Sequence, residues 1–96
     1  MTQLTLAFCL LLAFAPTPDP SYTLVSAAGN TYGYDIYVDG RVIIHQLTIP
    51  GLPGNLGFRR KKDAEKVAGL VIHKLQQHVM PPAVSRAELD SLHIKF

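Results

Sequence analysis

Polar and apolar positions change rhythm several times along the chain. Residues 4–15 form a twelve-residue run that is apolar except for Thr5 and carries no charge. Pro16-Thr17-Pro18-Asp19-Pro20 follows, and prolines at alternate positions forbid helix and favour an extended spacer. From Ser21 the pattern becomes β-like. Residues 22–27 are expected as a first strand, broken at Gly29-Asn30, with residues 32–38 and 41–49 as a second and third. Asp39-Gly40 between the last two suits a two-residue type I′ hairpin, in which both central residues need positive φ. Register then follows from the turn: Val38 opposite Arg41, Tyr37 opposite Val42, Ile36 opposite Ile43, Asp35 opposite Ile44 and Tyr34 opposite His45.

Two prolines and three glycines in residues 50–57 make a loop. Beyond Phe58 the period lengthens. Ala64, Val67, Ala68, Val71, Ile72, Leu75 and Val79 share one helical face, so residues 61–79 are expected as an amphipathic helix ended by Pro81-Pro82. Ser85-Arg86-Ala87-Glu88 matches a capping box and starts a short helix reaching about Leu92. The expected fold class is α+β: a three-stranded antiparallel meander (β-β-β) packed by one amphipathic helix, followed by a short C-terminal helix. The domain plan is an export signal or leader helix over 1–15, a Pro-rich spacer over 16–21, and a single β-β-β-α-α domain over 22–96.

Composition sharpens this picture mainly at the N-terminus. The apolar run is too short for a bilayer-spanning helix, which needs about 20 residues, and fits a secretory h-region of about 7–15. Ala13-Phe14-Ala15 supplies the small-x-small pattern read by signal peptidase. Met1-Thr2-Gln3 lacks Lys or Arg and Pro16 follows the cleavage point, so an uncleaved leader is the other outcome. A buried N-terminal helix would need an amphipathic stripe, which the run lacks. With 96 residues, one Cys and a formal charge of +2, the chain has room for one small domain and no internal disulfide. The mild charge gives no reason to expect nucleic acid as a partner.

Gly33-Tyr34-Asp35-Ile36, Ile44-x-Gln46-x-x-Ile49-Pro50, Gly54-x-x-Gly57-Phe58 and the Ala64/Val67/Ala68 helix occur together in that order. In these elements the chain resembles a family of small exported Bacteroidetes proteins catalogued only as a domain of unknown function. The resemblance covers residues 22–96. It implies a bacterial envelope location and supplies neither an activity nor functional residues. Members of that family often look like lipoproteins with a cysteine after the apolar run, whereas Cys9 lies inside it and reads as an apolar leader residue.

Candidate chemistry is thin. Of His45, His73, His78 and His93, the middle two lie about 140° apart on a helix and cannot share a metal as an i, i+4 pair does. The hairpin register puts Asp35 and His45 on opposite faces and makes Tyr34 and His45 a packed cross-strand pair. Ser21, Ser26, Ser85 and Ser91 lack a nucleophile-elbow context, and Gly51, Gly54 and Gly57 lack the spacing of a nucleotide loop. The one unusual feature is Arg59-Arg60-Lys61-Lys62 at a helix start, where cations oppose the macrodipole.

The sequence therefore points to a small exported protein, in the periplasm or tethered to the membrane of a Gram-negative bacterium, acting as a binding or interaction module. The alternative is an anion-binding module or small hydrolase using residues 50–62. Candidate binding residues are Arg59, Arg60, Lys61, Lys62, Tyr34, His45 and Gln46, with no catalytic residues, metal or cofactor assigned. Expected partners are an envelope protein or a small anionic ligand. The membrane is reached only through an uncleaved leader, and a sheet edge offers a route to a homodimer. If Arg60 is the N-cap of the main helix, Arg60→Ser should supply a missing cap and stabilise the fold.

Overall fold

The computed structural model describes residues 19–96. The leader, Cys9 and the front of the proline spacer lie outside the described residues. Strands β1 (Ser21–Ala27), β2 (Thr31–Val38) and β3 (Arg41–Gln46) form one antiparallel sheet in the order β1-β2-β3. Helix α1 (Lys61–Gln76) packs on one face of the sheet, across β1 and β2, and the short helix α2 (Arg86–Ser91) follows. The α+β class and the element order match the sequence expectation.

The hairpin turn forms as its chemistry requires: Asp39 and Gly40 take φ of 55° and 76°. Val38 pairs with Arg41 and Tyr37 with Val42, as expected. The register then shifts by one residue, so that Ile36 pairs with Ile44, Asp35 with His45 and Tyr34 with Gln46. The expected pairing of Tyr34 with His45, and the separation of Asp35 and His45 onto opposite faces, are thereby corrected. The physical reason is burial. An unbroken register would turn His45 toward the core and Ile44 outward. One extra residue at Ile43 reverses both, burying half of Ile44 and leaving the imidazole in water.

Strand β3 also ends earlier than expected, at Gln46 rather than Ile49. The Gln46 side-chain amide donates to the Thr48 carbonyl at 2.7 Å, which turns the chain locally. Ile49 then faces the core, and its N–H meets the Leu56 carbonyl at 2.8 Å. Phe58 returns beside β2 and exchanges two backbone bonds with Tyr32, at 2.8 and 2.9 Å. Residues 47–57 are thus an excursion closed on itself by the Ile49–Leu56 bond and fastened back to the sheet through Phe58.

Ala64, Val67, Ala68 and Val71 form the buried stripe of α1 and pack with Tyr34, Ile36 and Phe58. The rings of Tyr34 and Phe58 lie 6.1 Å apart in a tilted arrangement. Burial raises the Tyr34 phenol to about 12. A raised phenol stabilises the fold in full below its unfolded value near 10.0, and this contribution is lost as pH rises toward 12. Leu89 of α2, with Val84 and Ile94 on either side of it, completes the core.

The main helix stops at Gln76, three residues short of the expected Val79, and the prolines are not what stops it. His78 adopts φ 59°, with its N–H on the Leu75 carbonyl and the Val79 N–H on that of Lys74. This is a Schellman cap with histidine in the left-handed position that glycine usually fills. Helix α2 ends in the same way, with His93 at φ 57°, His93 N–H on Asp90 and Ile94 N–H on Leu89. Its start is the capping box read from sequence: Ser85 Oγ accepts from Glu88 N at 3.2 Å and Glu88 Oε1 from Ser85 N at 3.0 Å.

The hairpin turn yields a direct test. A Cβ on Gly40 would meet no atom within 4 Å, so any penalty there is backbone strain alone. Gly40→Val is expected to cost about 1–3 kcal/mol, seen as a lower urea midpoint with an unchanged slope. An unchanged midpoint would contradict the type I′ turn.

Candidate functional site

The basic run sits where α1 begins, and its four cations point to different places. Arg60 is the N-cap residue, in extended geometry, and its side chain makes no capping bond. Its guanidinium instead grips Asp63, with Nε at 3.0 Å from Oδ2 and Nη2 at 2.8 Å from Oδ1. Asp63 is fully buried, and its Oδ2 also accepts the Lys95 backbone N–H at 3.0 Å. Burial on its own would raise the Asp63 carboxyl. The bonds from Arg60 and Lys95 and the nearby Lys66 charge outweigh that effect and hold it below the ordinary carboxylate value. Lys61 places its ammonium 5.6 Å from the centre of the Tyr32 ring, while Lys62 is exposed. Arg59 turns the other way, and its Nη1 donates to a main-chain oxygen of Phe96 at 2.9 Å.

These side chains also hold the segment after α2. Lys66 Nζ donates to the Leu92 carbonyl at 3.0 Å, Asp63 takes the Lys95 amide, and Arg59 takes Phe96. Arg86 stacks its guanidinium 4.7 Å from the centre of the Phe96 ring. Residues 92–96 therefore lie strapped across the first turns of α1, and Phe96 stands beside Arg59. On the other side of the molecule's core, Lys74 ties α1 to α2 through Glu88 Oε1 at 2.7 Å and through the Ala83 carbonyl. The Lys74 and Ser85 bonds keep the Glu88 carboxyl below its usual value.

Where the strap, the excursion and the β1–β2 turn meet, they leave a cleft of about 420 Å³. Gly29 and Thr31 line it from the turn and the first residue of β2, Ile49, Leu56 and Gly57 from the excursion, Arg59 from just before α1, and Phe96 from the strap. Ile49 is buried, whereas Leu56 is 65% exposed and gives the cleft an open apolar wall. Gly57 is needed at this wall because a Cβ there would lie 2.3 Å from Thr31 Oγ1. The Thr31 hydroxyl itself donates to the Ala28 carbonyl at 2.8 Å. This volume falls in the range of small-molecule sites.

Of the residues singled out from sequence, Arg59 alone lines this cleft. Arg60 is committed to Asp63 and Lys61 to Tyr32. Tyr34 and Gln46 are cross-strand partners on the core face, with Tyr34 buried. His45 is on the outer face, where its Nδ1 bonds Asp35 Oδ1. Sequence reasoning missed Leu56, Phe96, the Asp35–His45 pair and the buried carboxylate. Asp63 did leave a signal: it is the one acidic residue on the stripe of Ala64, Val67 and Val71. Among the described residues no three potential metal ligands cluster, and no helix is long and apolar enough to cross a membrane.

The molecule is a small α+β domain that folds a three-stranded meander around a single helix. Residues 24–91 match the family model described as Domain of unknown function (DUF4907), and the chain belongs to that family. No curated protein and no solved structure matches the chain.

The Arg60–Asp63 pair reverses the substitution expected from sequence. Arg60→Ser gains a cap but strands a buried carboxylate with the Lys95 amide as its remaining donor. A net loss of about 1–3 kcal/mol is expected at pH 7, below the full cost of an orphaned buried charge because the Arg60 side chain is itself 43% exposed. A depressed carboxyl stabilises the fold above its unfolded value near 3.8, and this is lost as pH falls through the folded value. In the variant the carboxyl rises and protonates more readily, so the deficit should shrink toward pH 3. Urea midpoints of both proteins at pH 7 and pH 3 check this. A stabilised variant at pH 7 would show that capping outweighs the ion pair.

Proposed function

We propose that this protein is a small exported envelope protein, periplasmic or held at the membrane by its leader, that works as a binding module through the cleft beside Arg59. The observation that carries the binding reading is a cleft built from three separate chain segments and lined by the exposed side chains of Leu56 and Phe96. Apolar side chains cost free energy in water, and a rigidly built concave wall is where binding returns it. The one hydroxyl lining the cleft, on Thr31, is occupied by a turn bond. The site thus offers shape, apolar surface and one cation, the attributes of recognition. Export is supported by the uncharged apolar run over 4–15 and the proline spacer behind it. The Gly-Tyr, Gln-x-x-Ile-Pro and Gly-x-x-Gly-Phe elements, through their resemblance to exported Bacteroidetes proteins, favour a Gram-negative envelope.

Two measurements test the proposal. Fractionation of host cells, with sequencing of the mature N-terminus, should place the protein outside the cytoplasm. Recovery of the full-length protein as a soluble cytoplasmic species would overturn export. A fragment screen followed by amide chemical shifts should gather its hits on Gly29, Thr31 and Gly57. Hits spread over the outer sheet face around Val42 and His45 would overturn the cleft as the binding site.

A further inference from the structure

We infer that the open edge of β1 is a self-recognition surface, on which a second copy of this chain pairs antiparallel about a two-fold axis at Leu24. This is a separate surface from the cleft and does not depend on it. The direction of the edge groups follows from the far side of β2. Tyr32 gives both its N–H and its carbonyl to Phe58, on the side of β2 away from β1. Backbone groups alternate sides along a strand, so Tyr34 and Ile36 also bond away from β1, while Thr31, Gly33, Asp35 and Tyr37 face it. Their partners Ala27, Val25, Thr23 and Ser21 are therefore spent on β2. Tyr22, Leu24 and Ser26 turn their N–H and carbonyl groups outward, and no backbone group among the described residues bonds any of them. Tyr22 and Ser26 are exposed and Leu24 is half-buried, so the row stands open.

This row is complementary to itself. A two-fold axis at Leu24 sets Leu24 opposite Leu24 of the second copy and Tyr22 opposite Ser26, and each such pair exchanges two bonds, so every outward donor meets an acceptor. Pro20, the next outward position, falls opposite Ala28, where the strand has already ended, and its missing N–H costs nothing there. A slip of two residues would bring Pro20 opposite Ser26 or push Tyr22 past the strand end, leaving edge groups unpaired. β1 holds no charged residue, so no like charges meet in this register, and it lacks the lysine that commonly guards an edge. On one face Leu24, already packed against the core, meets its own copy; on the other, Thr23 comes opposite Val25 as a β-branched pair. The two sheets become one, with both copies of α1 on the same face. Helix α1 packs over β1 and β2 alike, so at a strand spacing of about 4.8 Å the two helices come about 10 Å apart, an ordinary helix-packing distance.

Sedimentation equilibrium of the protein as isolated from cells reads the assembly. A reversible dimer is expected, with a dissociation constant on the order of 10 µM, in keeping with a small interface. Exchange of the Leu24 amide should slow as protein concentration rises. Ser26→Pro removes an outward N–H and leaves every bond to β2 intact, and it should weaken the dimer at least about tenfold, one donor being lost from each copy. Thr23→Lys with Val25→Lys sets lysine opposite lysine in this register and should abolish the dimer. Thr23→Lys with Val25→Glu sets each lysine opposite a glutamate and should keep it. Amide dispersion reports whether each variant is folded, and the two charge variants decide the matter if the proline variant does not fold. A wild type that stays monomeric with a freely exchanging Leu24 amide would overturn the proposal and leave the cleft reading untouched. A monomer with that amide protected would overturn it too, since another part of the same chain then closes the edge. A dimer indifferent to Ser26→Pro would place the interface elsewhere, and loss of the dimer in both charge variants would overturn the register at Leu24.

Discussion

A carboxylate without access to water governs how this small domain closes. Asp63 stands on the apolar stripe of α1, where a charge is tolerated only if its bonding capacity is filled. Arg60 fills part of it from one turn earlier, and the Lys95 amide fills the rest from a segment far along the chain. The result is a clasp between the start of the helix and residues 92–96. With the clasp made, Phe96 comes to rest beside Arg59, and the cleft acquires its third wall. A hydrophobic residue at 63 would satisfy the stripe as well, yet it would leave the strap without its anchor.

Two devices take the place of a larger core. The excursion over residues 47–57 is closed on itself by Ile49 to Leu56 and fastened to the sheet by Phe58 to Tyr32, so a loop rich in glycine and proline behaves as a fixed wall. The helices are joined by Lys74, which bonds Glu88 while Glu88 completes its own capping box. Both devices use local bonds to set the position of distant chain. Order is thereby imposed on a domain whose buried apolar residues are few.

Much of this was legible in the sequence, and the residues show why. The pattern of apolar positions found the three strands and the main helix, because β-rich runs and the 3.6 period report which face is buried. Asp39-Gly40 and Ser85-x-x-Glu88 were readable because turns and caps are settled within four residues. What escaped was settled by contacts distant in sequence or by a choice between near-equal alternatives. The bulge at Ile43 depends on whether Ile44 or His45 meets the core, which a two-residue turn cannot decide. The helix ended at Gln76 because His78 accepted a left-handed conformation that the sequence rules assign to glycine. Arg60 looked like a missing cap because its bond to Asp63 matters only once Asp63 is known to be buried. Of the cleft, only the segment 50–62 with Arg59 was legible, since Gly29 and Phe96 are brought to it only by the finished fold.

The bulge at Ile43 has a further consequence at the level of many molecules. A three-stranded open sheet has two free edges, and a flat edge rich in Val and Ile invites growth by addition of strands from other copies. On the β3 edge, the extra residue breaks the even spacing of donors and acceptors that an incoming strand would need. At the start of the β1 edge, Pro20 immediately precedes Ser21 and has no N–H to offer. A copy docking on the β3 edge would lose register at Ile43, whereas one docking on β1 could pair along Ser21–Ala27 but no further toward Pro20. The bulge thus leaves the two edges unequal: β3 is a poor template for an added strand, and β1 is the edge along which a second copy could align.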